Sequence, residues 1–203
     1  MAVCELYDEI TVDKIIAAYQ NLGYKLFTAG DYNVNLFGIR CHDRVANTFN
    51  DMVGLLYKVD SEWVLKKYDA TTDPGVYYRE HPMNSAGTAI IAPGQYSGAF
   101  KLGYHKGQYE ALVQNNPIDL YRDNNKDDVL DFDSIPTAEI AGINLHRANA
   151  NVTSTLVDKI SAGCAAIADP NDFKELLSIC KQAAAQYGST FTFTLFTEAQ
   201  VLG

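Results

Sequence analysis

Residues 157–170 read VDKISAGCAAIADP, and the stretch AGINLH precedes them at 141–146. Ser161, Ala162 and Gly163 make a turn with Cys164 directly behind it. Asp169 is suited to an N-cap, Pro170 to the first helical position and Asp172 to the third, so a helix is expected to open there. Phe173, Leu176, Leu177, Cys180, Ala184 and Tyr187 then fall on one apolar stripe, and Gly188 supplies a stop. STFTFTLF, 189–196, alternates as a final strand, and AGINLH reads as a strand ending at His146. The order is therefore strand, cysteine-bearing turn, helix, strand.

Working outward, Thr11 caps an early helix with Ile15, Ala18, Tyr19 and Leu22 on one face and Gly23 as its end. Residues 30–40, GDYNVNLFGIR, predict a turn and a strand with Val34, Leu36 and Ile39 facing inward. Residues 50–75 predict a hairpin whose turn is KVDSE and whose second arm stops at Asp73-Pro74-Gly75. Residues 77–112 are rich in Gly, Tyr and short apolar pieces, which reads as several short strands; IDLYRD, 118–123, is another. The expected fold class is mainly β with flanking helices (α+β). Residues 1–30 form an N-terminal helical segment packed on one domain, 31–203.

Composition bounds the function. The 203 residues are 47% hydrophobic, enough for a core without metal or disulfide staples. Thirteen tyrosines and nine phenylalanines favour strands. A net charge of −9 argues against nucleic acid and against an electrostatic grip on anionic surfaces. Cys4, Cys41, Cys164 and Cys180 match neither a disulfide framework nor a zinc pattern, so reduced thiols are expected. MAVCELYDEITVDK has no basic n-region and no apolar h-region, and no apolar run is long enough for a membrane span. The expectation is a product made in the cytoplasm without a signal peptide.

One cluster carries chemistry. A catalytic cysteine needs a base, a group that holds the base, and donors for an oxyanion. Gly163 permits a tight turn that exposes Cys164, and the backbone N–H groups of Cys164 and Gly163 are candidate oxyanion donors. His146 is the candidate base, since a nearby imidazole raises the thiolate fraction and later protonates a leaving amine. Ser161 either braces the turn or orients His146. From residue types alone, a buried structural cysteine stands as the other reading.

GINLHRA, about a dozen residues, SAGC, a helix and a terminal strand together resemble the L,D-transpeptidase (YkuD-like) catalytic domain. YDATTDPG and GTAIIAPGQYSGAFKLG are similar to that family's strand before the groove and its Gly-rich hairpin, and the likeness runs from about Leu36 to Phe196. The resemblance implies a β-rich sandwich or barrel with a helix after the cysteine, acting on peptidoglycan stem peptides through an acyl-enzyme. It implies Cys164 as nucleophile, His146 as base, and Ser161 and Gly163 as shapers of the turn and oxyanion hole. The family carries an Arg two residues after its cysteine where this chain has Ala166; Arg147 is the expected substitute for binding a substrate carboxylate. The chain also looks like phage-encoded wall-degrading proteins, which implies hydrolysis rather than transfer. It further implies a place in the virion beside other virion proteins, or release to the wall through a holin. The rival expectations are a true transpeptidase and a catalytically silent wall-binding or structural virion protein.

Catalysis of this type requires no cofactor. DNNKDDVLD places Asp123, Asn125, Asp127 and Asp131 at positions 1, 3, 5 and 9 of a calcium loop, with Asp128 where Gly is usual and Ser134 where Glu is usual. Structural calcium and a solvated polar turn are the two readings. His42, His81 and His105 lack metal spacing and are expected on the surface or in loops, with His105 a remote candidate for the groove.

Overall fold

A computed structural model describes residues 9–45 and 47–203, so Cys4 lies outside the described residues. The helix α1 (Val12–Asn21) begins where expected, its Thr11 hydroxyl accepting the Lys14 N–H. The strand β1 (Asn35–Arg40) follows, then the hairpin of β2 (Asp51–Val59) and β3 (Glu62–Thr71). Asp60 and Ser61 turn that hairpin with positive φ (52° and 70°), a twist that suits two-residue hairpin turns. Next come α2 (Val76–Glu80), β4 (Thr88–Ile91), β5 (Gly94–His105), β6 (Tyr109–Gln114) and β7 (Ile118–Asp123). The chain ends with β8 (Thr137–Glu139), β9 (Leu145–Arg147), β10 (Ala165–Ile167), α3 (Pro170–Tyr187), β11 (Thr190–Thr197) and α4 (Glu198–Leu202).

Eight strands close into a barrel in the order β1-β11-β5-β6-β9-β10-β3-β2, and β4, β7 and β8 form a separate three-stranded sheet. The protein is mainly β with a few helices. Inside, Leu36, Val53, Leu55, Phe100, Leu112 and Phe193 are buried, each contributing roughly 1.5–3 kcal/mol of apolar burial. Phe173, Leu176 and Cys180 of α3 belong to the same cluster. A second cluster lies where Ile15, Ala18 and Tyr19 of α1 meet Phe37, Ile39, Leu56 and Phe196. Among the described residues no helix is long and apolar enough to cross a membrane.

Several local expectations are corrected. Ile39 is an odd number of residues from Leu36, so it faces the α1 cluster rather than the barrel interior. Residues 76–80 are a helical turn despite two tyrosines, tied down by fully buried Arg79, whose guanidinium donates to Asp128 O. The AGINLH strand shrinks to Leu145–Arg147, because the Asn144 side-chain oxygen takes the Gln114 N–H at 3.0 Å in place of a ladder carbonyl. Cys164 leads into β10, not directly into α3. Tyr187 leaves the apolar stripe; it is exposed and its hydroxyl donates to Asp31 O at 3.0 Å.

A buried polar knot joins the barrel to the smaller sheet. Arg40 pairs with Asp73 at 2.7 Å and donates to Ile91 O (2.6 Å) and Thr72 O (2.9 Å). Asp51 in turn accepts from the Thr72 and Cys41 N–H groups at 2.7 and 2.9 Å. Removing Arg40 leaves buried carboxylates without their cation. Arg40→Ala is expected to lower unfolding free energy by about 3–5 kcal/mol, read as a shift in urea midpoint at unchanged slope.

Candidate active site

The strands β9 and β10 run parallel with Leu145 opposite Ala165, His146 opposite Ala166 and Arg147 opposite Ile167. This register brings the base candidate and the end of the SAGC turn to one edge. Cys164 and His146 line the same groove of about 540 Å³, together with His105, Lys106, Asn144 and Arg122.

The turn before Cys164 is held from within. Ser161, fully buried, donates its hydroxyl to Cys164 O at 2.8 Å and accepts the Gly163 N–H at 3.1 Å. Ser161 is thus the brace of the turn, and among the described residues it makes no hydrogen bond to His146. Gly163 has φ +124°, and a Cβ there would stand 2.5 Å from Ala89 O, so both conformation and space demand glycine. Its N–H is committed to Ser161, which corrects the expectation that it serves an oxyanion. The Cys164 N–H remains the backbone candidate for that role.

His146 is almost fully buried, with Nδ1 2.8 Å from Arg147 O. A carbonyl only accepts, so Nδ1 carries the proton and Nε2 presents the lone pair. Among the described residues Nε2 has no hydrogen-bond partner. Burial pulls the His146 pKa down to about 4, and the neighbouring His105 and Lys106 add to the fall while the Arg147 carbonyl opposes it. The imidazole is therefore neutral at physiological pH.

The thiol is neutral as well. Its pKa lies above the ordinary value because burial outweighs the Asn144 N–H and the Lys106 charge, both of which lower it. Asn144 N–H reaches Sγ at 3.4 Å and Sγ faces Gly142 O at 3.7 Å; among the described residues no hydrogen bond joins Sγ to His146. No ion pair forms at rest: the buried imidazole is held neutral, and desolvation of the half-buried thiol favours its neutral form. Cys180 is core, as expected, with its thiol pushed up to about 12 by burial. Cys41 is buried too, its thiol donating to Asn50 O at 2.9 Å.

His105 is the residue sequence reasoning undervalued. It is buried at the end of β5 and stacks on His146, ring centroids 4.2 Å apart and 29° between planes. Asn144 Oδ1 is spent on Gln114 N–H, so its Nδ2 donates to His105 Nδ1 at 3.0 Å. Asn144 thus touches the thiol through its backbone and His105 through its side chain. The signal was the turn His105-Lys106-Gly107, but its partner lies some forty positions away in the chain. His42 and His81 are exposed, pairing with Glu198 and stacking on Tyr77 respectively.

Arg147 does not line the groove. Its guanidinium stacks 4.3 Å over the Tyr109 ring, so it does not replace the Arg absent at position 166. Ala166 itself is fully buried with Phe49, Val157 and Ala168, where an arginine would have no room. The cations that line the groove are Lys106 and Arg122, and Arg122 is bound to Glu139 and to Gly87 O.

Comparison of the chain with family models, with curated proteins and with solved structures finds no match.

Because the thiol pKa is raised, the alkylation rate of Cys164 is expected to climb without a plateau below pH 8. Lys106→Ala removes a charge that favours thiolate and should slow labelling further at every pH; His146→Ala should leave the limb in place. Iodoacetamide labelling with peptide mapping reads this out, and a plateau below pH 7 would mean a thiolate–imidazolium pair instead.

Proposed function

We propose that this chain is a cysteine-dependent peptidoglycan stem-peptide hydrolase of L,D-transpeptidase type, of the kind phages encode to break host walls. The observation that supports it is one groove lined by both Cys164 and His146, with the unprotonated Nε2 of His146 buried and without a partner among the described residues. The barrel with a helix after the cysteine agrees with the resemblance in the sequence.

On this reading the Sγ–H proton passes to His146 Nε2 as Sγ attacks the substrate carbonyl. The Cys164 N–H is the donor nearest the developing oxyanion. The C–N bond then breaks, and His146 returns the proton to the leaving amine. Water, deprotonated by the same imidazole, opens the thioester and the thiol regains its proton. Both groups start neutral, so charge forms only when the groove is closed over by substrate. Lys106, exposed at the groove, is the cation suited to a stem-peptide carboxylate. The enzyme then rides in the virion with other virion proteins or reaches the wall through a holin.

A second reading, a catalytically silent wall-binding or virion protein on the same fold, is favoured by the missing Sγ–His146 hydrogen bond and the raised thiol pKa.

Incubation with a stem tetrapeptide and with sacculi, followed by product chromatography, tests the reading. Cys164→Ala should lose about 10³-fold or more and His146→Ala about 10²–10⁴-fold. Lys106→Ala should raise KM and, by removing a charge that favours thiolate, lower kcat as well. New cross-links with an added acceptor amine would assign transfer rather than hydrolysis; binding to sacculi without turnover would assign the silent role.

A further inference from the structure

The strand β7 ends at Asp123, whose side chain is enclosed (1% exposed) with neither carboxylate oxygen hydrogen-bonded among the described residues. The backbone N–H groups of Asp131 and Asn125 are the donors nearest that carboxylate. An enclosed carboxylate whose oxygens lack well-formed hydrogen bonds is costly, and a cation relieves that cost.

The loop beyond it gathers more oxygen. Asn125 Nδ2 lies 2.9 Å from Asp127 Oδ2 and 2.7 Å from Asp131 Oδ2, so the positive end of an amide dipole sits between two carboxylates. Two arginines already engage the loop. Arg44 donates to Leu130 O at 2.7 Å and to Asp131 Oδ1 at 3.1 Å, and the buried Arg79 donates to Asp128 O and lies within electrostatic reach of Asp123. Both Asp123 oxygens still lack a hydrogen bond among the described residues. Among the described residues no three acidic, histidine or cysteine side chains already converge as a metal-binding group. The Asn125 amide stands between Asp127 and Asp131 instead, as a donor where a cation would sit.

We propose that this loop is a calcium site, with Asp123, Asn125, Asp127 and Asp131 as oxygen ligands, and that Asn125 turns its amide over when the ion enters. That half-turn exchanges Nδ2 for Oδ1 with little change of shape, at the cost of the 3.2 Å bond from Asp127 N–H to Oδ1. Calcium fits better than magnesium, because a loop of flexible oxygens suits a large ion of adaptable coordination. Ser134, at the place of the usual bidentate Glu, is engaged by the Arg122 N–H at 3.3 Å. The affinity therefore falls in the weaker extracellular range, about 10⁻⁴–10⁻³ M. The ion anchors the strand end next to Arg122, which lines the groove.

Calorimetric titration of the metal-stripped chain with calcium chloride tests this. One saturable site is expected, at least about tenfold weaker for magnesium. Asp127→Ala, at an exposed position that leaves the fold intact by circular dichroism, should weaken it at least about tenfold, as should Asn125→Ala. No saturable heat up to about 10 mM calcium overturns the proposal. So does undiminished binding by Asp127→Ala, which would place the ion elsewhere.

Discussion

The parallel pairing of β9 with β10 is the constraint on which the site depends. Only three rungs hold it, Leu145–Ala165, His146–Ala166 and Ile167–Arg147, and β9 meets β6 at a single pair, Leu112–Leu145. A parallel pair needs a long crossover, and residues 148–164 supply it. The end of that crossover is pinned from both sides. The Ala165 N–H donates to Asn144 O at 3.0 Å, and Gly163 fits against Ala89 of the smaller sheet with no space for a side chain. The position of Cys164 beside the His146 strand is therefore a consequence of backbone register, and Ser161 keeps it so.

The electrostatics of the groove follow from burial rather than from charge pairing. His146 is enclosed by Arg147 O below its Nδ1 and by the His105 ring on one face. Two stacked imidazoles disfavour a second proton, and desolvation disfavours the first. Lys106, adjacent to His105, shifts both pKa values the same way, with opposite effects on the charge of the two groups. It lowers both the histidine and the thiol pKa, so it holds imidazole neutral while favouring thiolate. A neutral thiol and a neutral imidazole, with the Lys106 cation near, give a groove that holds no Cys–His ion pair at rest.

Much of the fold was legible because local rules and tertiary packing agree. Thr11, the Asp169-Pro170 opening and Gly188 mark helix ends that the structure keeps. The alternation of STFTFTLF and the two arms around Asp60-Ser61 likewise mark strands that form. What escaped were pieces held by distant partners. The α2 turn depends on buried Arg79, β8 and β10 have three residues each, and α4 closes the chain with Thr197 and Gln200 in a capping box. The site was legible to the same degree. Cys164 and His146 line one groove, with Ser161 buried behind the cysteine turn, while His105 arrives from the far end of β5 and could be placed only by the barrel's closure. Arg147 was misplaced because neighbours along a strand point to opposite faces, so the residue beside a groove-facing histidine faces away from the groove.

The most direct test of the proposed function is intact-protein mass spectrometry after rapid acid quench of the protein mixed with a stem tetrapeptide. A transient mass increase equal to the acyl portion of the substrate, mapped to Cys164 and absent in Cys164→Ala, is expected. Substrate turnover with no adduct at any time, or turnover that survives in Cys164→Ala, would contradict it.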